Sequence, residues 1–272
     1  MLNVDDLRVS FGGVRALDGV SLEVPDRSIV GLVGPNGSGK STLLNAVCGL
    51  VPATGTVTVG GDRIHLGRPL EVRRHGVLRT FQTPQVSESL TCLENVLLAD
   101  GDRRFTGSVG ALIARPVMIR REHERWERAA RALTEVGLAG SENIPAGLLP
   151  YGRRRLLELA RILGASPRIV LLDEPSAGLN EAETEDFAAL LQELGDTGVS
   201  LLIVDHKVDF LDSLCSSLVV LELGRKIAEG TPREVWSHQR VIDAYLGAEL
   251  PDAFDARSEA VDTHQPHEGQ SC

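Results

Sequence analysis

The chain has 272 residues, of which 42% are hydrophobic, and its formal net charge is -10. This length fits one large domain or two modest ones, with ample chain for a buried core. An acidic chain is a poor general nucleic-acid binder, so no nucleic-acid partner is expected. No run approaches the ~18 apolar residues of a membrane-spanning helix. The N-terminus lacks the basic and apolar segments of a signal peptide, so none is expected.

The cysteines are scattered, and none forms a CxxC pair. Single thiols at Cys48, Cys92, Cys215 and Cys272 suit a reducing cytosol better than a disulfide framework. We expect small buried side chains at the first three and a free thiol in the C-terminal tail.

The N-terminal region has the patterns of strands around one helix. Alternating apolar residues predict strands in "NVDDLRVSF" and "GVSLEV". The more continuously apolar "SIVGLVG" predicts a strand buried on both faces. A helix is expected from about Lys40 to Leu50. It is followed by a hairpin in "GTVTVGGDRI", with its turn at Gly60-Gly61, and by a short strand in "GVLRTF".

From about Pro84 to Leu163 the pattern becomes helical. Helical spacing and many Arg–Glu pairs occur in "TCLENVLLA", "MIRREHERWERAARALTEVGL" and "GRRRLLELARIL". These segments predict a helical subdomain inserted into the main sheet. The run from Arg153 to Arg155 is either a charged helix face or a contact for phosphate or a partner.

Strands and helices then alternate. Strands are expected in "RIVLLD" and "VSLLIVD", and helices in "EAETEDFAALLQELG" and "KVDFLDSLC". This alternation is typical of parallel strands joined by crossover helices. A closing hairpin is predicted in "SLVVLELG" and "RKIAEG", and short helices in "PREVWSHQRVIDAYLG". The end of the chain, residues 249–272, is acidic and poor in large apolar groups, especially from Pro251, and is expected to be a disordered tail.

The turn "GPNGSGKST" lies between a predicted strand and a predicted helix, and it matches G-x-x-x-x-G-K-[ST]. Its glycines let consecutive backbone N–H groups point into one concavity, beside the positive end of the helix. Lys40 can then reach the β- and γ-phosphates of a nucleotide, and the Ser41 hydroxyl can ligate Mg²⁺. The expected phosphate-binding residues are Gly34, Pro35, Asn36, Gly37, Ser38, Gly39, Lys40, Ser41 and Thr42.

Two acidic residues follow the apolar run in "RIVLLDEP". At the end of a buried strand beside the phosphate loop, Asp173 is expected to hold Mg²⁺ through water. The adjacent Glu174 can orient and deprotonate an attacking water. A second carboxylate at this place favours water, rather than a substrate hydroxyl, as the nucleophile.

With these motifs in this order, the chain resembles the ATP-binding-cassette (ABC) ATPases, the motor subunits of ABC transporters, over about residues 2–248. The resemblance implies an α/β P-loop NTPase fold with a parallel central sheet and an N-terminal antiparallel β subdomain. It places residues 1–248 in one ABC ATPase domain, with a helical subdomain at about residues 84–163. ATP and Mg²⁺ are the implied ligands.

The resemblance also assigns roles to single residues. Phe11, in "VSFGGVRAL", is expected to stack on adenine. Gln82, in "RTFQ", is expected to contact Mg²⁺ and the attacking water and to connect with the membrane partner. His206, in "LLIVDHKVD", is expected to sense the γ-phosphate. The family loop that reads roughly SALD corresponds to "SAGLN", Ser176 to Asn180.

The family signature LSGGQ corresponds to "LPYGR", Leu149 to Arg153. Pro150 replaces the serine that would bond the γ-phosphate across a dimer, and Arg153 replaces the glutamine. Tyr151 and Gly152 lie at the expected helix start, where backbone N–H groups can still face a phosphate. Proline at the beginning of a helix costs little. We therefore expect a weaker cross-dimer contact that affects the ATPase rate more than ATP binding.

Several segments are similar to the ATP-binding subunits of branched-chain amino-acid uptake systems, namely "FGGVRALDGVSLEV", "RTFQTPQ", "SAGLN" and "EGTPREVWSHQRVIDAYLG". This similarity implies a second ATPase subunit, either the same chain or a paralogue, and separate integral membrane permease subunits. It also implies an extracytoplasmic solute-binding protein. The chain would then be cytoplasmic and peripheral to the inner face of the cell membrane.

Other functions stay open at this level. Urea/amide uptake and lipopolysaccharide-export ATPases have similar endings. A soluble, non-transport ABC ATPase usually carries two cassettes or a long coiled coil, whereas one cassette is present here. A non-hydrolysing regulatory subunit is favoured by Pro150 and opposed by Glu174 and His206. A P-loop kinase would leave Gln82, "LPYGR" and "SAGLN" unexplained.

Overall fold

The computed structural model describes residues 1–99 and 115–246. Its first half contains, in chain order, β1 (Leu2–Phe11), β2 (Val14–Val24), β3 (Ile29–Val33), α1 (Lys40–Val47), β4 (Thr54–Val59), β5 (Asp62–Ile64), α2 (Pro69–Arg74) and β6 (Val77–Arg79). The second half contains α3 (Cys92–Ala99), α4 (Arg115–Glu135), α5 (Tyr151–Leu163), β7 (Ile169–Asp173), α6 (Glu181–Asp196), β8 (Ser200–Val204), α7 (Val208–Leu214), β9 (Ser217–Glu222), β10 (Arg225–Gly230), α8 (Pro232–Trp236) and α9 (Gln239–Leu246).

Most of these elements agree with the sequence patterns, but the short helix α2 (Pro69–Arg74) was not predicted. The helix expected to reach Leu50 ends earlier, at Val47, and the strand in "GVLRTF" covers only Val77–Arg79. A short 3-10 helix, Ala146–Leu148, precedes α5. The tail predicted to be disordered lies outside the described residues.

The N-terminal sheet has four strands in the order β2-β1-β4-β5, and all its pairs are antiparallel. The predicted hairpin joins β4 and β5. Its turn residues Gly60 and Gly61 have positive φ angles of 60° and 90°, which glycine adopts without strain. The predicted turn is therefore confirmed.

The central sheet has six strands in the order β10-β9-β3-β8-β7-β6. The strands β9, β3, β8, β7 and β6 are parallel, and β10 closes the edge as an antiparallel hairpin with β9. Because the strand order differs from the chain order, the connections cross over the sheet, as the strand–helix alternation predicts.

The central sheet is buried on both faces. In β3, Val30 and Leu32 belong to one hydrophobic cluster, which includes α1 and the N-terminal sheet. Their neighbours Ile29 and Val33 belong to the other cluster, which includes residues of α3 to α9. Side chains alternate across a strand, so a strand covered on both faces must be apolar throughout. Burial of β3 on both faces therefore explains the continuous apolar run in "SIVGLVG".

The helices α3, α4 and α5 lie between β6 and β7 in the chain and pack on one another. Val96, Leu133 and Leu157 are buried in this packing, one from each helix. Among the described residues, no helix combines the length and apolar character that crossing a membrane requires.

Candidate active site

Three segments that follow parallel strands converge on the candidate site. The glycine-rich loop 34–39 follows β3, Asp173 ends β7, and His206 lies just beyond β8. Strand β8 is hydrogen-bonded to both β3 and β7. Carboxyl ends of adjacent parallel strands meet at one edge of a sheet, where ligands bind in open α/β folds. The topology therefore brings the three segments together.

Two glycines of the loop pack against neighbouring backbone. A Cβ on Gly34, whose φ is 150°, would lie 2.1 Å from the carbonyl oxygen of Leu221. A Cβ on Gly39, whose φ is 108°, would lie 2.8 Å from the carbonyl oxygen of Ala16. No real side chain tolerates such contacts, and both φ values favour glycine. The close packing of the loop thus depends on these two residues.

The N-terminus of α1 suits an anion. Gly39 is its N-cap residue, no side chain caps it, and no acidic residue stands in its first turn. The Ser38 hydroxyl is buried and has no hydrogen-bond partner among the described residues. Uncapped N–H groups at the positive end of a helix are groups that phosphate oxygens bind. The residues present therefore fit a phosphate group.

Lys40 is the first residue of α1, directly after this loop, and is 7% exposed. Its Nζ donates hydrogen bonds to the carbonyl oxygens of Gly34, at 2.6 Å, and Pro35, at 3.0 Å. Burial lowers the pKa of Lys40, and the negative charges of Glu174 and Asp173 oppose this shift. The ammonium group is thus a buried cation between the loop and the two carboxylates.

Asp173 forms an ion pair that the sequence reasoning missed. Nη2 of Arg79 donates to Oδ2 of Asp173 at 2.7 Å, and the two side chains are 7% and 11% exposed. Nη1 of Arg79 donates to Oδ1 of Asn45 in α1 at 2.6 Å. Arg79 ends β6, which is paired with β7, so its place on the strand beside Asp173 was the available signal. The guanidinium neutralises a buried carboxylate.

The predicted magnesium ligands are Ser41, Gln82 and Asp173. Among the described residues, no group of three or more His, Cys, Asp or Glu side chains forms a metal cluster. This finding is compatible with Mg²⁺, which usually binds through one or two carboxylates together with waters and substrate phosphates. Asp173 supplies one such carboxylate beside the phosphate loop, so the donor set fits.

Glu174 is held between the other two predicted catalytic residues. Nε2 of Gln82 donates to Oε2 of Glu174 at 2.7 Å, and Nε2 of His206 lies 3.0 Å from Oε1. Glu174 has a φ of 48°, and its N–H donates to the carbonyl oxygen of Val204 at 2.7 Å. Positive φ in a non-glycine residue is uncommon and concentrates at functional sites. The structure thus brings together Gln82, Glu174 and His206.

A buried carboxylate fixes the loops on either side of Glu174. Asp205 is 5% exposed and accepts hydrogen bonds from the hydroxyl and the N–H of Ser176, at 2.8 and 3.0 Å. It also accepts from the N–H of His206 at 2.7 Å. Sequence reasoning did not select Asp205, although it stands at a strand end beside His206.

Phe11 and the signature segment lie apart from the phosphate loop in sequence. Phe11 ends β1 and is 48% exposed, so it is not a core residue. Tyr151 begins α5 and is 43% exposed. Among the described residues, neither Tyr151 nor Gly152 is hydrogen-bonded to loop 34–42.

Tyr151 packs against the "SAGLN" loop. A Cβ on Gly178, whose φ is 78°, would lie 2.8 Å from Cε1 of the Tyr151 ring. The absence of a side chain at Gly178 therefore leaves room for the Tyr151 ring.

The run from Arg153 to Arg155 does not form one charged face. Arg153 is exposed, Arg154 is partly buried and Arg155 is fully buried. Arg154 donates to the carbonyl oxygens of Leu149 and Gly147, both at 2.9 Å. The expectation of a single solvated or phosphate-facing run is therefore wrong for Arg155.

The strand–loop–helix turn, the acidic end of β7 and the parallel sheet define a P-loop nucleotide-binding protein. The sequence pattern of the ABC transporter family matches residues 17–177. The chain belongs to this family, as an ATP-binding subunit with ATPase function. A second pattern, of the branched-chain amino acid ATP-binding cassette transporters, matches residues 225–250.

Known proteins agree with this assignment. The chain is 38% identical to the high-affinity branched-chain amino acid transport ATP-binding protein BraF of Pseudomonas aeruginosa, over 91% of this chain and 98% of BraF. It is 36% identical to LivG of Escherichia coli, which carries the same description, over 91% of this chain and 98% of LivG. The predicted resemblance to this subfamily is confirmed.

Solved structures agree in fold. A nucleotide-free ATP-binding cassette from an ABC transporter has a TM-score of 0.78 and 32% identity, over 90% of this chain and 98% of that one. The ADP conformation of the cassette MJ1267 has a TM-score of 0.78 and 31% identity, over 91% and 98%. The dimeric cassette MJ0796 bound to ADP and Pi has a TM-score of 0.68 and 25% identity, over 86% and 99%. The predicted fold class is confirmed.

Proposed function

We propose that this chain hydrolyses ATP to drive a membrane permease that imports branched-chain amino acids or related small solutes. The observation that carries the proposal is the position of Glu174, held by Gln82 and His206 at the sheet edge that also carries the phosphate loop. The solute class is that of the relatives BraF and LivG, which are branched-chain amino acid transport ATP-binding proteins.

In this proposal the loop 34–42 and the ammonium group of Lys40 bind the triphosphate. The ammonium group of Lys40 would exchange its hydrogen bonds with the carbonyl oxygens of Gly34 and Pro35 for contacts with phosphate oxygens. Phe11, exposed at the end of β1, stacks on the adenine. Ser41, Gln82 and Asp173 would hold Mg²⁺. A bound Mg²⁺ would supply positive charge that stabilises the phosphate oxygens during hydrolysis.

Glu174 is the proposed general base. Its carboxylate can accept a proton from a water placed in line with the γ-phosphate. Gln82 and His206 each contact one of its oxygens, which limits the orientations that the carboxylate can adopt. His206 is in turn positioned through its N–H by the buried Asp205. Correct positioning of this kind accounts for much of the acceleration in phosphoryl transfer.

The second subunit completes each site. Tyr151 and Gly152, with the N-terminus of α5, would face the nucleotide of a partner subunit, which is the same chain or a paralogue. The dimeric state of MJ0796 with ADP and Pi supports this arrangement. ATP binds the closed dimer better than the open one, so it shifts the population to closed, and hydrolysis releases it.

The remaining assignments concern organisation and partners. Residues 1–248 form one ABC ATPase domain, with residues 84–163 as its helical subdomain; the acidic tail expected at residues 249–272 lies outside the described residues. The permease lies in the cell membrane, this chain binds its cytoplasmic side, and an extracytoplasmic protein delivers the solute. No nucleic acid takes part.

The experiment is purification of the tagged chain from its native membranes, identification of the co-purifying membrane proteins, and reconstitution of the complex in vesicles. We expect ATP-dependent uptake of leucine, with urea as the control solute. If no integral membrane protein purifies with the chain, or if the vesicles take up urea but not leucine, the proposed transport role is contradicted.

A further inference from the structure

We propose that Arg155 is a positioning residue for ATP hydrolysis. From helix α5, it holds the main chain of the Gln82 segment and of Glu174 in one fixed arrangement. The proposal rests on the proposed function, because it assigns Arg155 a part in the same reaction.

The guanidinium of Arg155 is buried beneath the candidate catalytic residues. Its side chain is 1% exposed. Nη1 donates to the carbonyl oxygen of Phe81 at 2.8 Å, and Nη2 donates to the carbonyl oxygen of Gln82 at 2.7 Å. Nη2 makes two longer contacts of 3.3 Å, to the Tyr151 hydroxyl and to the carbonyl oxygen of Glu174. One side chain therefore joins three segments of the site.

Glu158, one turn further along α5, holds the same segment from its amide side. Its Oε1 accepts hydrogen bonds from the N–H groups of Phe81, at 3.3 Å, and Gln85, at 3.2 Å. Its Oε2 lies 3.6 Å from Nη1 of Arg155. Burial raises the pKa of Glu158, and the hydrogen bonds from Gln85 and Phe81 with the charge of Arg155 oppose this shift. The ion pair thus binds both carbonyl and N–H groups of residues 81–85.

The contacts suit arginine and not lysine. Arginine presents N–H donors in a planar, rigid fork, so two neighbouring carbonyl groups can be bound at once and at fixed angles. The two carbonyls bound at short distance belong to consecutive residues, and the second belongs to Gln82 itself. Loss of the fork would free the Gln82 backbone, and the Gln82–Glu174 hydrogen bond would lose its fixed geometry.

The neighbouring residue Arg154 offers a matched control. It also lies in the first turns of α5 and makes three hydrogen bonds, to the carbonyl oxygens of Leu149 and Gly147 and to Glu88. Among the described residues, its side chain is hydrogen-bonded to neither Gln82 nor Glu174. Arg154→Met and Arg155→Met each remove one arginine from the same helix. Only Arg155→Met removes the hydrogen bonds to the carbonyl oxygens of Gln82 and Glu174.

The test measures ATP hydrolysis, ATP affinity by calorimetry and thermal midpoint for the full chain. We expect both methionine variants to lower the thermal midpoint. Arg155→Met should lower kcat about tenfold or more while the Kd for ATP stays within about threefold, since misplaced groups slow chemistry more than binding. Arg155→Lys, which keeps a charge beside Glu158, should fold and still fail to restore kcat. Arg154→Met should keep most of its kcat.

A double-variant cycle distinguishes positioning from simple stabilisation. If Arg155 acts through Gln82, then Arg155→Met should reduce kcat far less in a Gln82→Ala background than in the wild type. A reduction of equal size in both backgrounds overturns the proposal, as does wild-type kcat in Arg155→Lys or equal kcat in the two methionine variants. Absence of hydrolysis by the wild-type chain overturns the proposed function itself.

Discussion

Nε2 of Gln82 donates a hydrogen bond of 2.7 Å to Oε2 of Glu174, across 92 positions of sequence. Gln82 follows β6 and Glu174 follows β7, and these strands are parallel neighbours in the central sheet. Their carboxyl ends therefore lie side by side. The contact links the residue expected to sense the membrane partner with the residue expected to activate water, so a change in one can reach the other directly.

Replacing Lys40 with alanine should abolish productive ATP binding. The variant loses a buried cation that is hydrogen-bonded to Gly34 and Pro35. We expect hydrolysis to fall at least about a hundredfold, in the range seen when a preorganised electrostatic group is removed. Calorimetry with Mg-ATP and phosphate release are the measurements. Lys226→Ala is the control, since among the described residues Lys226 pairs with Glu229, outside the site. Hydrolysis near wild type in Lys40→Ala would count against the site.

Replacing Glu174 with glutamine should separate binding from hydrolysis. The amide keeps the size of the side chain but cannot accept a proton from water, so kcat should fall by about 10²–10⁴-fold. ATP should still bind and hold the variant as a dimer on gel filtration. Glu181→Gln, in the first turn of α6, is the control. A monomer with unchanged hydrolysis would show that Glu174 is not the base.

Replacing Pro150 with serine should raise the ATPase rate, because it restores a hydroxyl donor for the γ-phosphate across the dimer. Pro150 is the N-cap of α5 and offers no side-chain cap. A serine cap contributes about 1 kcal/mol, and the lost rigidity of proline costs about 0.4–1 kcal/mol. Stability should therefore change little. Pro150→Ala is the control, because it removes proline without adding a hydroxyl. Equal ATPase rates in the serine and alanine variants would mean that backbone N–H groups already bind the γ-phosphate.

Replacing Gly178 with alanine should destabilise the protein through two separate effects. The positive φ of 78° disfavours any side chain, and the added Cβ would meet the Tyr151 ring at 2.8 Å. We expect a loss of about 1–3 kcal/mol in the free energy of unfolding, measured with urea. In a Tyr151→Gly background, the destabilisation caused by the clash with the ring should disappear. The destabilisation caused by the positive φ should remain. If the losses of free energy in the two single variants simply add in the double variant, the Tyr151 ring does not clash with the side chain at position 178.

Three cysteines should be unreactive in the native protein. Cys48, Cys92 and Cys215 are free and buried. Burial raises the pKa of Cys48 to about 11 and that of Cys215 to about 12. The native state then retains protons that the unfolded state loses, so stability should fall as pH rises above about 8.5. In a Cys272→Ser background, a thiol reagent should label these residues only after denaturant is added; rapid labelling of the native chain would contradict their burial.

The amino-acid sequence by itself determined the local features of this protein. The phosphate loop from Gly34 to Ser41 is a continuous segment whose glycines and flanking strand and helix are visible in the letters. The order of Gln82, Asp173, Glu174 and His206 along the chain indicated the family. Apolar alternation likewise predicted the first two strands, and continuous apolar runs predicted strands of the central sheet, because both patterns are local.

Only the tertiary structure decided which charged groups are buried together. Arg79 and Asp173 lie 94 positions apart, and Arg155 binds the Gln82 carbonyl across 73 positions. Arg155 shares a helix face with buried Leu159 and Ile162, a spacing that hinted at burial, yet its partners lie on other elements. Local patterns report which face of an element is apolar. The pairing of a buried charge depends on how separate layers pack, because its free energy is set by partners that the chain brings close only on folding.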